Sequence, residues 1–309
     1  MFLVFLLVLT DDELEKLIKA GEIVRRVLDY ASSYVKPGLN VLDVCERLEN
    51  MIIDLGGLPA FPCNVSINSI AAHYTSPPND SAIIPQNSLV KVDVGAHVDG
   101  YIADAAITLS FNPDYDVMVD AVKAALNRAI SMIRPGIKVS QISRSIEEVI
   151  RGYGFKPISN LCGHLLRRYI LHGGKSIPNI SGNYPWIVEE GDVFAIEPFA
   201  TDGGGRVVEG SSTYIFSFVR NRAKGRFERK LLSFIRSHFR SLPFCTRWFK
   251  GFFNIDSVVD VLDRLNKNGS IYGYPVLKEV KGGLVAQAEH SVIVTGDGAL
   301  VTTLGGRLN

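Results

Sequence analysis

Hydrophobic positions set a helical period through the first part of the chain. Val41, Val44, Leu48, Ile52 and Leu55 fall on one face, which predicts an amphipathic helix over 41–55 closed by Gly56-Gly57. A helix over 10–34 precedes it. Thr10-Asp11-Asp12-Glu13 reads as a capping box, Leu9 and Leu14 stand where a hydrophobic staple would sit, and Pro37-Gly38 is the stop. At 89 the period changes. The stretch LVKVDVGAHVDGYIAD at 89–104 is a pair of apolar runs around a polar Asp99-Gly100 bend, which predicts two short antiparallel strands. Each delivers one aspartate, Asp93 or Asp104, from inside an apolar run.

The plan then recurs. Lys36-Pro37-Gly38 followed by Val41, Val44, Leu48, Glu49 and Ile52 matches Arg134-Pro135-Gly136 followed by Val139, Ile142, Ile146, Glu147 and Ile150, at a constant offset of 98. The acid-ended run at 89–93 has a counterpart at 193–197, ending on Glu197. A duplicated α+β unit predicts an internal pseudo-two-fold with a site between the halves. From 206 to 274 the character shifts. Residues 220–230 are basic, and 227–239 and 255–265 have helical spacing, so this stretch reads as a helical insertion. Gly282-Gly283 leads into a last strand over 284–294 that carries Glu289.

At 309 residues and 47% hydrophobic the chain can bury a large core. A net charge of +1 gives no overall pull toward nucleic acid or anionic membrane, so no DNA or membrane partner is expected. The four cysteines are scattered, with no CxxC pair, which excludes a disulfide framework or thiolate zinc cage and suits a reducing cytoplasm. The sequons at Asn64, Asn79, Asn179 and Asn268 are then accidental. The apolar leader 1–9 is far short of the ~20 residues that span a bilayer, and is read as folded onto the first helix or as an overextended start. A monomer is expected.

A carboxylate among buried side chains costs several kcal/mol unless something positive compensates it. Asp93 and Asp104 have only Lys91 nearby in sequence, so they ask for a cation. Glu197 and Glu289 share the strand-like, apolar setting. His164 and His172 are flanked by glycine, which permits close backbone approach, and His73 follows two alanines. His97, His238 and His290 are read as structural. Four carboxylates and one imidazole suit two ions of Mn, Fe, Co or Zn. Two such ions ~3.5–4 Å apart would support hydrolysis. Other chemistries fail: the Gly173-Gly174-Lys175-Ser176 string has Tyr169 where a P-loop needs its first glycine, Asp93-Val94-Gly95 lacks the Ser or Thr of an aspartic protease, and no GxSxG occurs.

The chain resembles the methionine aminopeptidases of type 2, in the short form without a charged N-terminal extension. The resemblance rests on FPCN at 61–64, AAHYT at 71–75, KVDVGAHVDGYIAD at 91–104, GH at 163–164, LHGG at 171–174, FAIEPFA at 194–200, YGYP at 272–275 and QAEH at 287–290. It implies the pita-bread fold, with 1–205 and 275–309 as catalytic domain and 206–274 as the type 2 helical insertion. It implies five ligands to two divalent ions: Asp104 and Glu289 bridging, Asp93 completing one ion, His164 and Glu197 the other. By the same resemblance a bridging hydroxide attacks the carbonyl of an N-terminal methionine and Glu197 shuttles its proton. His172 bonds the carbonyl oxygen, and His73 contacts the scissile amide. Phe61, Pro62, Leu171, Phe199 and Tyr274 wall the methionine side chain. Ala288 departs from the family's usual phenylalanine, and Cys63 and Cys162 stand where small or aliphatic residues are usual. The alternatives are an X-Pro aminopeptidase or prolidase, which uses the same ligands with a further N-terminal domain, and a non-catalytic relative binding ribosomes or RNA, which has lost ligands that are all present here.

Overall fold

The computed structural model describes residues 9–305, so the leader expectation at 1–8 falls outside the described residues. Helix α1 (Asp11–Tyr34) begins on the expected capping box. Thr10 Oγ1 accepts from Glu13 N at 3.3 Å and Glu13 Oε2 accepts from Thr10 N at 2.9 Å, while Leu9 and Leu14 pack on one apolar cluster. Helix α2 (Val41–Asp54) buries Val41, Val44, Leu48 and Ile52. Burying each of these side chains contributes on the order of 1.5–3 kcal/mol. The two helices cover a hairpin of strands Leu89–Val98 and Tyr101–Ser110, paired without a slip from Leu89↔Ser110 to Val98↔Tyr101. Its turn is Asp99-Gly100, with φ of +50° and +86°. Two positive φ values define the type I′ turn that matches the strands' twist, which is why Asp-Gly stands there.

The second half copies the first. Helix α3 (Asp116–Met132) and helix α4 (Val139–Gly152) cover a sheet ordered Gly298–Val301, His290–Thr295, Val193–Ile196, Cys162–Leu165, Ser176–Pro178. Helices α2 and α4 are each 14 residues long and start 98 positions apart, as the repeat predicts. Their entries are tied alike, Gly38 N to Ile84 O and Gly136 N to Val188 O, both at 2.9 Å. The halves meet where Glu289 N donates to Ala106 O at 3.0 Å and Asp104 N donates to Ser291 Oγ at 2.7 Å.

One expectation needs correcting. The single strand over 284–294 is two, Val285–Gln287 and His290–Thr295, and the break falls on Ala288-Glu289. That interruption lets Glu289 cross to the Ala106 strand rather than continue its own ladder. Within the stretch 206–274 lie α5 (Arg226–His238), α6 (Ile255–Lys267) and a short 3-10 turn, Thr246–Phe249. Its flanks are the long strands Val207–Phe218 and Ile271–Glu279, paired from Val207↔Glu279 to Phe218↔Ile271. The second strand also pairs with Ile70–Ala72. The helices close over Phe216, Phe244 and Phe249 as a separate apolar core.

Candidate metal centre

Strand register brings the carboxylates together. Asp104 sits opposite Gly95, so Asp93, two residues along, shares its face at the diagonal position. His164 lies on Cys162–Leu165 opposite Ala195. Glu197 follows that neighbouring strand directly, where Pro198 supplies no N–H to continue the ladder. Glu289 enters through the break just described. Two glycines make the approach possible. A Cβ on Gly163 would lie 2.5 Å from Ala195 O, so only glycine lets His164's strand pack this closely. A Cβ on Gly95 would lie 2.2 Å from the Phe61 ring, which occupies that space instead.

Asp104, His164 and Glu289 present ligand atoms all within 4.8 Å of one another, and all three are buried. His164 Nε2 stands 3.7 Å from both Asp104 Oδ2 and Glu197 Oε1. Among the described residues, these are the ion-pair contacts the four acids make, and both involve a histidine rather than a lysine or arginine. Asp93 Oδ1, Asp104 Oδ1 and Glu289 Oε1 are buried without a hydrogen-bond partner. Burial, then repulsion from Asp93 and Glu197, holds the Asp104 carboxyl well above its usual range. Glu289 is raised by burial and by Asp104, Glu197 and Asp93, and Glu197 by burial and Asp93. Burial, opposed by a hydrogen bond from Gln287, pushes Asp93 up to about 7. Burial, with His172 adjacent, keeps His164 neutral by lowering its proton affinity. Crowded acids with orphaned oxygens and a neutral imidazole are the donor set a divalent cation requires. The residues fit a metal.

These groups line a 390 Å³ cavity together with Phe61, His73, Leu171, His172, Phe199 and Tyr274. The His164 and His172 rings lie 4.5 Å apart, and Tyr274 stands 5.6 Å from His73 and 6.4 Å from His172. Burial lowers the proton affinity of His172, and takes that of His73 down to about 4. His73 Nδ1 lies 3.2 Å from the Pro275 carbonyl, which can only accept; the proton is therefore on Nδ1, and Nε2 is left as an acceptor. Pro62 is buried but does not line the cavity. The chain bends at Ala60-Phe61, ahead of the strand that starts at Asn64, and of this pair Phe61 alone lines the cavity. His97, His238 and His290 are engaged elsewhere, with Gly100 N, Phe234 and Thr303 respectively.

Sequence reasoning gave no role to Gln287, the last residue of the strand Val285–Gln287. Its Nε2 donates to Glu289 Oε2 at 3.2 Å and reaches Glu197 Oε2 at 3.5 Å. Asn64 and Tyr272, inside the quoted FPCN and YGYP motifs but given no role, also line the cavity, as do Asn160 and Glu209, which no local pattern marked.

This fold and donor set belong to a class of metal-dependent peptidases. Residues 15–295 match the model of metallopeptidase family M24, and the chain belongs to that family. It is 50% identical over 296 residues to a methionine aminopeptidase of Thermococcus onnurineus, covering 94% of this chain and 100% of that protein. The structure of a thermophilic Arx1 superposes with a TM-score of 0.83 at 20% identity, over 96% of this chain and 91% of that one. A methionine aminopeptidase from Thermotoga maritima superposes with a TM-score of 0.70 at 24% identity, over 97% and 99%. The fold is the pita-bread fold of that family.

Proposed function

We propose that this chain is a methionine aminopeptidase of type 2, releasing N-terminal methionine from nascent polypeptides with a small second residue. The observation that carries this is the convergence of Asp104, His164 and Glu289 in one cavity with Asp93, Glu197, His73 and His172. Asp93, Asp104, His164, Glu197 and Glu289 would hold two divalent ions of Co, Mn, Fe or Zn. When bound, such ions act as Lewis acids and yield a nucleophile from water at neutral pH. Glu197 takes the proton of the attacking water and returns it to the leaving amine. Neutral His172 donates to the carbonyl oxygen as charge develops there. His73 Nε2, an acceptor in this tautomer, takes the N–H of the scissile amide. Phe61, Leu171, Phe199 and Tyr274 form the apolar wall against which an unbranched thioether packs.

Residues 206–274 are the inserted subdomain in this reading. They carry 13 lysines and arginines against 5 acids, while the whole chain is only +1. Such local charge supports contact with a polyanion such as ribosomal RNA near emerging chains. Among the described residues no helix is long and apolar enough to cross a membrane. The test is metal-dependent release of methionine from Met-Ala and Met-Gly peptides, with X-Pro peptides as competitors. Release from X-Pro alone would reassign the enzyme as prolidase-like, and no hydrolysis by the metal-loaded protein would remove the peptidase reading.

A further inference from the structure

His73 holds a left-handed backbone conformation, φ +63°, that side-chain-bearing residues rarely adopt. Such a conformation persists only where the surroundings enforce it. On one side His73 is held by the Pro275 carbonyl and by the pairing of Ala72 with Leu277, and on the other the inserted segment grips the residues just beyond it. The Arg247 side chain is almost completely buried on the turn Thr246–Phe249. Its Nη1 donates to Thr75 Oγ1 at 2.7 Å and to Ser76 O at 2.8 Å, just beyond His73. Its Nη2 donates to Glu49 Oε1 on α2. An arginine is always charged, so Glu49 is the counter-charge that makes this burial tolerable. The Glu49 carboxylate also receives Trp248 Nε1 at 2.9 Å and Cys63 N at 2.8 Å, and Thr75 Oγ1 donates on to Cys63 O at 2.7 Å. One guanidinium therefore ties the His73–Ser76 loop to the Phe61–Asn64 segment, whose Phe61 and Asn64 line the cavity.

We infer that Arg247 is a positioning residue: through Thr75, Ser76 and Glu49 it fixes the backbone that aims His73 into the cavity, so that the inserted segment is needed for turnover and not only for coverage. This rests on the role given to His73 above. A structural ion pair serving stability alone would be indifferent to whether His73 is present, which is the distinction the experiment uses.

The full chain is prepared as wild type, Arg247→Lys, Arg247→Met, His73→Ala and the Arg247→Met, His73→Ala double variant. Folding and manganese affinity are measured for each, then kcat and KM on a Met-Ala tetrapeptide, and the His73 ring resonances by NMR. Misplacing a catalytic contact by a fraction of an ångström to one ångström costs on the order of 10- to 100-fold in rate, so Arg247→Met should lower kcat by about that factor with KM little changed. Arg247→Lys should recover part of the loss, and the His73 resonances should shift in both. In the His73→Ala background the Arg247→Met change should alter kcat by less than about twofold, because residues acting through one another are not additive. An equal loss in both backgrounds, or folded Arg247→Met with wild-type kcat and unshifted His73 resonances, overturns the proposal. Should Arg247→Met fail to fold, Thr75→Val cuts the same link while leaving the ion pair, and the same outcomes decide. If wild type itself releases no methionine the function reading fails, while the His73 resonances still report whether Arg247 positions that ring.

Discussion

Asp93→Asn changes sign depending on whether metal is present. In the metal-free protein the carboxylate is a burden: burial raises its pKa from an ordinary 3.8 to about 7. Because the folded state binds this proton more tightly than the unfolded chain, stability is fullest below about pH 4, falls as pH rises toward 7, and is flat above. At 1.36 kcal/mol per pH unit the ceiling is ~4 kcal/mol at pH 8. Asp93 is only partly covered, with one side open to the cavity, so cavity water screens some of this, and a gain of about 1–3 kcal/mol is the reasonable expectation for the asparagine variant. Relief of Glu197, Asp104 and Glu289, all raised by Asp93, acts in the same direction. Urea unfolding in the presence of chelator should therefore show Asp93→Asn more stable than wild type at pH 8 and nearly equal at pH 4. With saturating manganese the order reverses, because a ligand has been lost. A metal-free variant less stable than wild type at pH 8 would mean that Asp93 is already compensated by a protein group, and the case for a cation centre would fall.

Three further outcomes follow from the geometry. Glu197→Gln should abolish turnover while the thermal midpoint of the metal-free protein holds or rises; retained activity removes Glu197 from proton transfer. In Gly95→Ala the new Cβ must displace the Phe61 ring, and overpacking of this kind costs about 1–3 kcal/mol. KM for methionyl peptides should rise with kcat less affected, and unchanged KM would exclude Phe61 from the pocket wall. Gly163→Ala meets backbone, Ala195 O, which cannot swing aside as a ring can. Metal affinity by calorimetry should drop, and wild-type affinity would show that the His164 strand has slack.

Much of this protein was legible locally. Thr10 with Glu13 starts a helix because a side chain three residues away can satisfy the first free N–H groups. Asp99-Gly100 turns the hairpin because those two residues accept positive φ. The 98-residue repeat announced two like halves, since helix faces and strand alternation depend on spacing alone. The candidate ligands were visible as acids where apolar side chains belonged. Other features are invisible to spacing because they depend on which distant backbone lies alongside. Glu289 enters the cavity only since its strand breaks against Ala106, Phe61 lines the cavity while Pro62 does not, and Gln287 reaches two carboxylates. Arg247 meets Glu49 across 198 positions of chain. A lone arginine in a basic stretch reads as a solvated charge, and only packing against α2 makes it a buried tie. Residue type and period determine which elements form and which groups are chemically costly; the register and contact between elements decide where those groups point, and therefore what they do.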